Sequence, residues 1–366
     1  MKHVRILHMI GSLNIGGSQT AIINLINYIN CDLVKFDFII DSPDELYFAP
    51  MLQEKGCKIY VFPKFTGRNY RELKAKWNTF FNEHPEYKIL HSHVRSYASL
   101  YLPIAKRHGV RTIIHSHSTS NGSGIKSVAK KILQYPLRFQ ADRFIGCSET
   151  SGKWLFGKRI VNSEKYHTLQ NAIDIDKFKF NETVRNKYRA ELNLEGRVYA
   201  HVGRLHPAKN HRFLLDIFKK VHEIDSTSVL LLIGDGDLRQ DIEKRILELG
   251  LGESVKMLGN RSDVDKLLSA SDVFLFPSEW EGVPLTVVEA QANGLPCLVS
   301  NRVTADVCVS ELVTRLPIDV GVDSWIKCIM ELDTARKDVS EKIAIAGYDV
   351  RKNARWLEKY YLELIE

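Results

Sequence analysis

The chain has few cysteines, and their positions favour neither a disulfide framework nor a zinc site. Its six cysteines stand at 31, 57, 147, 297, 308 and 328, with no Cys-x-x-Cys pair and no grouping with histidine. Scattered thiols of this kind are typical of a reducing compartment.

Long apolar runs are also missing. No stretch approaches the ~20 apolar residues that cross a bilayer, and the first residues enter a short strand pattern without the apolar core and cleavage site of a signal peptide. We therefore expect a cytoplasmic protein. Its Lys and Arg residues are dispersed without interleaved aromatics, so no nucleic-acid partner is expected.

The sequence instead contains short β-branched or apolar runs that alternate with helical patterns from end to end. This alternation predicts an α/β fold with parallel sheets covered by helices on both faces. A chain of 366 residues can form two cores, and we place one doubly wound, Rossmann-like domain at 1–172 and another at 173–346. Residues 347–366 follow an amphipathic helix pattern.

Two glutamates, Glu281 and Glu289, stand eight positions apart in the run SEWEGVPLTVVEA. Pro284 is suited to opening a helix there, because its missing N–H would be unpaired in the first turn anyway. The free N–H groups of Val283 and Leu285 would then point out of the helix start, where a phosphate can dock. With glutamates on either side to accept hydrogen bonds from hydroxyls, the expected ligand is a sugar nucleotide. Two solvated charges on an ordinary amphipathic helix remain the alternative.

This run resembles the paired-glutamate motif of the retaining glycosyltransferases of family 4, which have the GT-B fold. The resemblance implies two Rossmann-like domains that face a central cleft, with the C-terminal helix at 347–366 crossing back to complete the N-terminal domain. It also implies transfer of a hexose from a nucleotide diphosphate sugar, with UDP as the expected nucleotide, to an acceptor hydroxyl with retention of configuration. The acceptor would be a saccharide or lipid-linked saccharide of bacterial exopolysaccharide or capsule synthesis.

The resemblance also assigns roles to residues of the run. Glu289 would hold the ribose hydroxyls and Glu281 the hydroxyls of the donor sugar. The donor-binding loop between them consists of Gly282, Val283, Pro284 and Leu285.

A second loop, GRLHPAKN, follows a strand pattern that ends at Val202 and carries Arg204 and Lys209. Ligands of open α/β sheets bind at such strand ends, and a guanidinium with an ammonium can neutralise a diphosphate. The loop resembles the family motif Gly-Arg-Leu-x-x-x-Lys-Gly, with Asn210 in place of the last glycine. A solvated pair of basic residues is the alternative.

An N-terminal loop, GSLNIGGSQT, also follows a strand pattern and opens a helix. Gly17 stands where a P-loop needs lysine, so that interpretation fails. The loop resembles the family's Gly-Gly-x-x turn, which lets Gly16 and Gly17 approach the donor closely. A tight turn without a ligand is the alternative.

Histidines occur in pairs at two predicted strand ends, His91 with His93 and His115 with His117. Such pairs face the same way and could chelate zinc, but no cysteine or acidic residue completes the set, so we expect no metal there. The resemblance points to His115 as the catalytic residue that approaches the transferred sugar, with His117 as the second choice. Strand-end histidines without a chemical role are the alternative.

Three Asp-x-Asp triplets, at 174–176, 235–237 and 263–265, are the other candidate metal ligands. The middle one resembles the structural Gly-Asp-Gly turn of the C-terminal GT-B domain. Because Arg204, Lys209 and the helix start already supply positive charge, we expect no metal and no other cofactor.

The segment from Ser123 to Arg143 interleaves Lys126, Lys130, Lys131 and Arg138 with apolar residues. A basic face opposite an apolar one is what an interfacial helix needs. The apolar side either packs into its own domain or rests on an anionic membrane, which would make the protein peripheral on the inner face.

Two other functions fit parts of the pattern. A UDP-sugar 2-epimerase of the same fold would use the same nucleotide site but needs further acids and bases. A non-catalytic sugar-nucleotide-binding subunit would not need Arg204, Lys209, Glu281 and Glu289 together.

Overall fold

The computed structural model describes residues 3–14, 16–43, 46–118 and 125–366, without the side chains of residues 125 and 126. Residue 15 of the glycine loop and Ser123 of the basic segment lie outside this part, as does the side chain of Lys126. The chain divides into two compact units, residues 1–172 with 350–366, and residues 173–349. We describe each unit by itself.

The first unit is built on a seven-stranded sheet. Its strands are β1 Val4–Met9, β2 Val34–Ile40, β3 Ile59–Val61, β4 Ile89–Ser92, β5 Arg111–Ser116, β6 Arg143–Gly146 and β7 Tyr166–Thr168. Its helices up to this point are α1 Gly17–Ile26, α2 Ala49–Glu54, α3 Tyr70–Glu83, α4 Leu102–Arg107, α5 Ile125–Gln134, α6 Leu137–Gln140, α7 Glu149–Phe156 and α8 Lys158–Val161. All strand pairs are parallel, in the order β3-β2-β1-β4-β5-β6-β7. The order reverses between β1 and β4, where open α/β sheets bind ligands.

The second unit repeats this plan with six strands. They are β8 Val198–Val202, β9 Val229–Ile233, β10 Val255–Gly259, β11 Val273–Phe276, β12 Cys297–Ser300 and β13 Val313–Leu316. Its helices are α9 Ile175–Phe178, α10 Glu182–Glu191, α11 His211–Ile224, α12 Arg239–Glu248, α13 Val264–Ala270, α14 Leu285–Ala292, α15 Val322–Glu331 and α16 Ser340–Ile345. The parallel order is β10-β9-β8-β11-β12-β13, so the reversal lies between β8 and β11.

Each sheet has an apolar core on both faces. In β1, Ile6 belongs to one core and Leu7 to the core on the opposite face, as the two-residue period of a strand requires. The edge strand β13 lacks the apolar run that is typical of the other strands, because none of its residues is fully buried and it contains the charged Arg315.

The last helix, α17 Val350–Glu363, belongs to the first unit. Val350, Ala354, Leu357 and Tyr361 are buried in the same core as residues of α1, and their spacing places them on one helical face. The chain therefore returns to its N-terminal unit, and the prediction of two Rossmann-like parallel-sheet domains is confirmed. Within the described ranges, no helix combines the length and apolarity needed to cross a bilayer.

Candidate active site

The two central strands of the second sheet, β8 and β11, bring together the loops that carry Lys209 and Glu281. Lys209 Nζ lies 2.7 Å from Glu281 Oε1, and each side chain is 14% exposed. The ammonium also lies 4.5 Å from the ring centroid of Phe276, the last residue of β11. A backbone bond of 2.8 Å from Glu279 N–H to the Ala208 carbonyl joins the two loops. Two residues 72 positions apart in the sequence thus form one ion pair at the reversal point of the sheet.

This pair leaves Glu281 able to accept another hydrogen bond. The Lys209 contact has the distance of an ion pair, but Glu281 Oε1 is buried without a well-directed hydrogen bond from any described residue. Lys209 reaches the carboxylate across Gly203, where a Cβ atom would lie 2.7 Å from Lys209 Cε. The absence of a side chain at Gly203 therefore leaves room for the methylene groups of Lys209.

Asn210 closes the same loop in the left-handed conformation, with φ 53° and ψ 48°. Its position is the one where the family motif has glycine, and asparagine is the side chain that best tolerates this backbone after glycine. Its Nδ2 donates to Glu279 Oε1 at 3.3 Å.

The start of α14 presents unpaired donors beside this ion pair. The helix begins at Leu285, one residue later than the sequence predicts, and Pro284 is its N-cap residue. Among the described residues, none accepts a hydrogen bond from the Val283 or Leu285 N–H. Gly282 is exposed, and a Cβ atom there would meet nothing within 4 Å. The backbone is thus open to an anion from the loop side.

Two hydroxyls near this helix start were not singled out in the sequence. Thr286 Oγ1 and Ser278 Oγ are buried without a partner in the described part of the chain. Buried hydroxyls are normally satisfied, so both are candidates for ligand contacts. The sequence feature that could have identified Thr286 is its position in the first turn of a predicted phosphate-binding helix.

Glu289 lies further along α14, and its side chain keeps partial exposure. The protein packed around it raises the pKa of its carboxyl to about 7, with Lys177 opposing and Asp265 adding to the shift. An ionised carboxylate is poorly solvated there. Hydroxyl donors from a ligand would stabilise that charged form.

Arg204 stands apart from these residues. Its side chain is 66% exposed, and its contact in the unit is a 3.3 Å pair with the exposed Asp237. Exposed pairs of this kind contribute ~0–1 kcal/mol, so the guanidinium is free to turn towards a ligand. Asp235 and Gly236, which precede Asp237 in the sequence, form a structural turn, since a Cβ atom at Gly236 would lie 2.6 Å from the Leu205 carbonyl oxygen.

In the first unit, the glycine loop follows β1 as predicted. Gly16 precedes the first residue of α1, Gly17, and neither has a positive φ. A Cβ atom at Gly17 would meet nothing within 4 Å. The space beside it remains open, as close approach of a ligand requires.

Five histidines converge at the reversal point of the first sheet. His8 Nδ1 lies 3.0 Å from His93 Nε2, and His93 Nδ1 lies 2.8 Å from His117 Nε2. His91 Nδ1 lies 2.6 Å from the hydroxyl of Tyr361. The His115 ring stacks on His117 with centroids 3.9 Å apart, and neither of its nitrogens has a hydrogen-bond partner among the described residues. The sequence showed two separate pairs, but the sheet makes them one cluster and adds His8.

Burial keeps these imidazoles neutral. It lowers the pKa of His8, His91, His93 and His115 well below 6.5, and that of His117 to about 4. His115 is 2% exposed, and leaving a buried polar nitrogen unpaired costs about 1–3 kcal/mol. The cluster can therefore offer hydrogen bonds, but not positive charge, at neutral pH.

The basic segment does not form one continuous helix. It breaks into α5 and α6, with Pro136 as the residue before α6, and β6 begins at Arg143. Leu137 is buried, whereas the large apolar side chains Val128, Ile132, Tyr135 and Phe139 are exposed by 57%, 68%, 59% and 74%. Lys130 and Lys131 are exposed beside them. The apolar side is thus only partly packed into its own unit.

Two family models match most of the chain between them. The model described as Glycosyltransferase Family 4 matches residues 15–177, and that described as Glycosyl transferases group 1 matches residues 184–348. The chain is 29% identical over 368 residues to a putative glycosyltransferase EpsF of Bacillus subtilis, covering 98% of this chain and 96% of the relative. It is 27% identical over 299 residues to a UDP-Gal:alpha-D-GlcNAc-diphosphoundecaprenol alpha-1,3-galactosyltransferase of Escherichia coli, covering 76% of each.

Solved structures show the same fold. Anabaena Alr3699/HepE in complex with UDP superposes with a TM-score of 0.79 at 20% identity, covering 98% of this chain and all of that one. Its complex with UDP-glucose gives a TM-score of 0.77 at 20% identity, over 99% of this chain and 100% of that one. At this identity the likeness establishes the fold alone.

Proposed function

Because the chain belongs to glycosyltransferase family 4, we propose that it transfers a hexose from a UDP-sugar to an acceptor hydroxyl with retention of anomeric configuration. The observation that carries the proposal is the Lys209–Glu281 ion pair beside the unpaired amides that start α14. The E. coli relative uses a UDP-sugar and a diphosphoundecaprenol-linked acceptor by its name. We extend that to a saccharide or lipid-linked saccharide acceptor of bacterial surface polysaccharide synthesis.

The donor would take over charges that now neutralise one another. Its diphosphate replaces the Glu281 carboxylate as partner of Lys209, and a hydroxyl of the donor sugar replaces Lys209 as partner of Glu281. The amides of Val283 and Leu285 donate to the phosphates, and the ribose hydroxyls donate to Glu289. Every charge separated by donor binding therefore regains a partner.

The same groups would stabilise the transition state. As the bond from the anomeric carbon to the diphosphate oxygen breaks, negative charge grows on the leaving group next to Lys209, Arg204 and the helix start. The acceptor oxygen attacks the same face of the sugar, and its proton passes to the departing phosphate oxygen. His115, the residue that the family resemblance assigns to the transferred sugar, would act there as a neutral hydrogen-bonding group. These protein cations supply the charge that a metal would otherwise bring, so we propose no metal requirement.

The experiment is transfer with a panel of UDP-sugars and lipid-linked acceptors, in EDTA and in manganese. We expect product in EDTA, with the anomeric configuration of the donor seen by NMR. Inverted product would contradict retention, and activity that EDTA abolishes and manganese restores would contradict metal independence. Two further reactions test the alternative functions. With UDP-sugar alone, an epimerase would interconvert the sugar. With UDP-sugar and acceptor together, a non-catalytic binding subunit would leave the UDP-sugar unchanged.

We also propose that α5 and α6 rest on an anionic membrane, where a lipid-linked acceptor would lie. The exposed Ile132 and Phe139 with the exposed Lys130 and Lys131 support this, because interfacial segments combine such faces. Flotation with vesicles containing phosphatidylglycerol should carry the protein, and neutral vesicles should not. Ile132→Ser with Phe139→Ser should abolish flotation, while the matched pair Ile224→Ser with Leu247→Ser, also exposed, should not. Equal flotation of all variants would refute the surface.

A further inference from the structure

Three imidazoles of the first unit converge from the ends of two neighbouring strands. His115 lies in β5, His117 follows it, and His93 follows β4. One nitrogen of each lies within 4.8 Å of the others. We propose that His93, His115 and His117 bind one divalent transition-metal ion, and zinc is the ion that three imidazoles with an open fourth position suit best.

The unsatisfied nitrogens of the cluster favour a ligand over simple packing. Both nitrogens of His115 are buried without a partner in the described residues, and so is Nε2 of both His8 and His91. Nitrogens that merely fill a core are almost always hydrogen-bonded. A cation would satisfy His115, which no protein group in the described part of the chain does.

The hydrogen bonds around His93 and His117 decide which of their nitrogens can carry a lone pair. His117 Nδ1 lies 3.3 Å from Asn171 Oδ1 and donates to it, so Nε2 carries the lone pair facing His93. In the metal-free chain His93 Nδ1 donates to this lone pair across 2.8 Å. With an ion bound, His93 would take its other tautomer, in which Nε2 donates to His8 Nδ1, 3.0 Å away, and Nδ1 carries a lone pair for the ion. Outer partners of this kind fix metal-binding histidines.

The space available matches a single ion. A cavity of about 10 Å³ is lined by the five histidines together with apolar residues of α1, β2 and α17, and its volume is close to the minimum that holds one water molecule. His93 Nδ1 and His117 Nε2 are 2.8 Å apart and would separate to about 3.3 Å around zinc in tetrahedral geometry. Both residues keep partial exposure, which gives an ion access from their side.

The sequence led us to expect no metal at these histidines, because each pair by itself lacks a third ligand, and the sheet supplies that ligand by bringing His93 to His115 and His117. The site also differs from the metal site excluded for the diphosphate. Without a carboxylate among its ligands, a bound ion would keep its double charge and attract an anion or hydroxide to the fourth position. It would also occupy His115. On the proposed function, therefore, zinc inhibits transfer and a chelator relieves the inhibition.

The test uses the metal-stripped full chain without a polyhistidine tag and without sugar nucleotide. Calorimetric titration with Zn²⁺ should show about one ion per chain, and Co²⁺ should give the visible absorption of a nitrogen-ligated, low-coordinate site. His115→Gln and His117→Gln should each weaken binding about tenfold or more, since even residues that only orient a ligand change affinity by about 10–100-fold. His91→Gln, in the same cluster, and His84→Gln, at the surface, should leave the affinity unchanged.

Several results would overturn the site. Absence of binding, binding that survives His115→Gln, or loss of binding in His91→Gln would each do so, the last because it assigns the ion to His8, His91 and His93. If the glutamine variants do not fold, the wild-type cobalt spectrum and the rise in Tm with Zn²⁺ remain as measurements. Neither depends on transfer activity, so failure here is distinguishable from failure of the proposed function.

Discussion

The two units share a parallel-sheet plan, yet the reversal points of their sheets carry opposite chemistry. In the first unit the strands end in buried or half-buried, neutral imidazoles that contact one another. In the second they end in a pre-formed ion pair next to unpaired amides. The topology therefore fixes where the polar strand ends meet, while the loops fix the charge that they present. On the proposed function, the neutral groups of the first unit suit sugar hydroxyls, and the charged groups of the second suit a diphosphate.

The largest expected effect comes from removing the charges of the second unit. Lys209→Met should lower kcat by about 10²–10³-fold, the usual loss when one preorganised donor to developing negative charge is removed. Steady-state transfer of labelled sugar measures it. The matched control is Lys219→Met on α11, whose ammonium pairs with Glu223 at 3.6 Å at the surface. Equal rates for the two variants would remove the basis of the site.

Glu289 should make donor binding depend on pH in the second unit. The pKa of about 7 means that the carboxylate forms as pH rises from 6 to 8, and only the ionised form accepts both ribose hydroxyls. Glu289→Gln should weaken UDP binding by about 10–100-fold at pH 8, the worth of hydrogen bonds to a charged group, and by much less at pH 6. Calorimetry at both pH values tests this. A pH-independent difference would contradict it.

The same carboxyl should lower stability at high pH. Because its pKa in the folded state lies above the ordinary value of 4.5, the folded protein disfavours the charged form, and the cost grows as pH rises from 4.5 and is complete above 7. Glu289→Gln should therefore raise the free energy of unfolding at pH 8 by about 1–3 kcal/mol, allowing for partial solvent screening, and leave it unchanged at pH 4. A higher free energy of unfolding for Glu289→Gln at pH 4 would contradict the predicted direction of the pH dependence.

In contrast to Glu289, the histidines of the first unit should make no pH-dependent contribution to activity between pH 6 and pH 8. Since burial keeps the pKa of His115 well below 6.5, the effect of His115→Ala on kcat/KM should be the same at pH 6 and pH 8. One hydrogen bond to the sugar predicts a loss of about two- to tenfold, smaller than that of Lys209→Met. A loss that appears only at low pH would show that His115 acts as a cation, and would contradict the contrast between neutral groups in the first unit and charged groups in the second.

The smallest effect concerns the backbone that carries the charged loop. Asn210→Gly should be close to neutral, because glycine adopts φ 53° without strain. Asn210→Ala should be about 1 kcal/mol less stable than Asn210→Gly, because alanine has a Cβ atom in the left-handed conformation without the short polar side chain by which asparagine tolerates it. Chemical denaturation of both variants measures the difference. Equal stabilities would contradict the strain.

Much of the second site could be predicted from local sequence. Glu281, Pro284 and Glu289 lie in one short run whose spacing identifies a loop followed by a helix, and the structure places that helix within one residue of the prediction. The ion pair could not be predicted in this way, because Lys209 reaches Glu281 only when β8 and β11 pair. The strand β13 has no apolar run to predict it, because an edge strand without a fully buried residue does not need an apolar pattern.

By itself the sequence determined the two alternating α/β units, the strand ends at which polar residues appear, and an amphipathic helix at the end of the chain. These features follow from periodicity and turn chemistry, which act over a few residues. Only the tertiary structure decided which strand ends are neighbours, and therefore that five histidines meet, that Lys209 meets Glu281 while Arg204 does not, and that Glu289 titrates near pH 7. Contacts between loops and the burial of a charge depend on strand order and on packing from distant segments, and neither is encoded in local spacing.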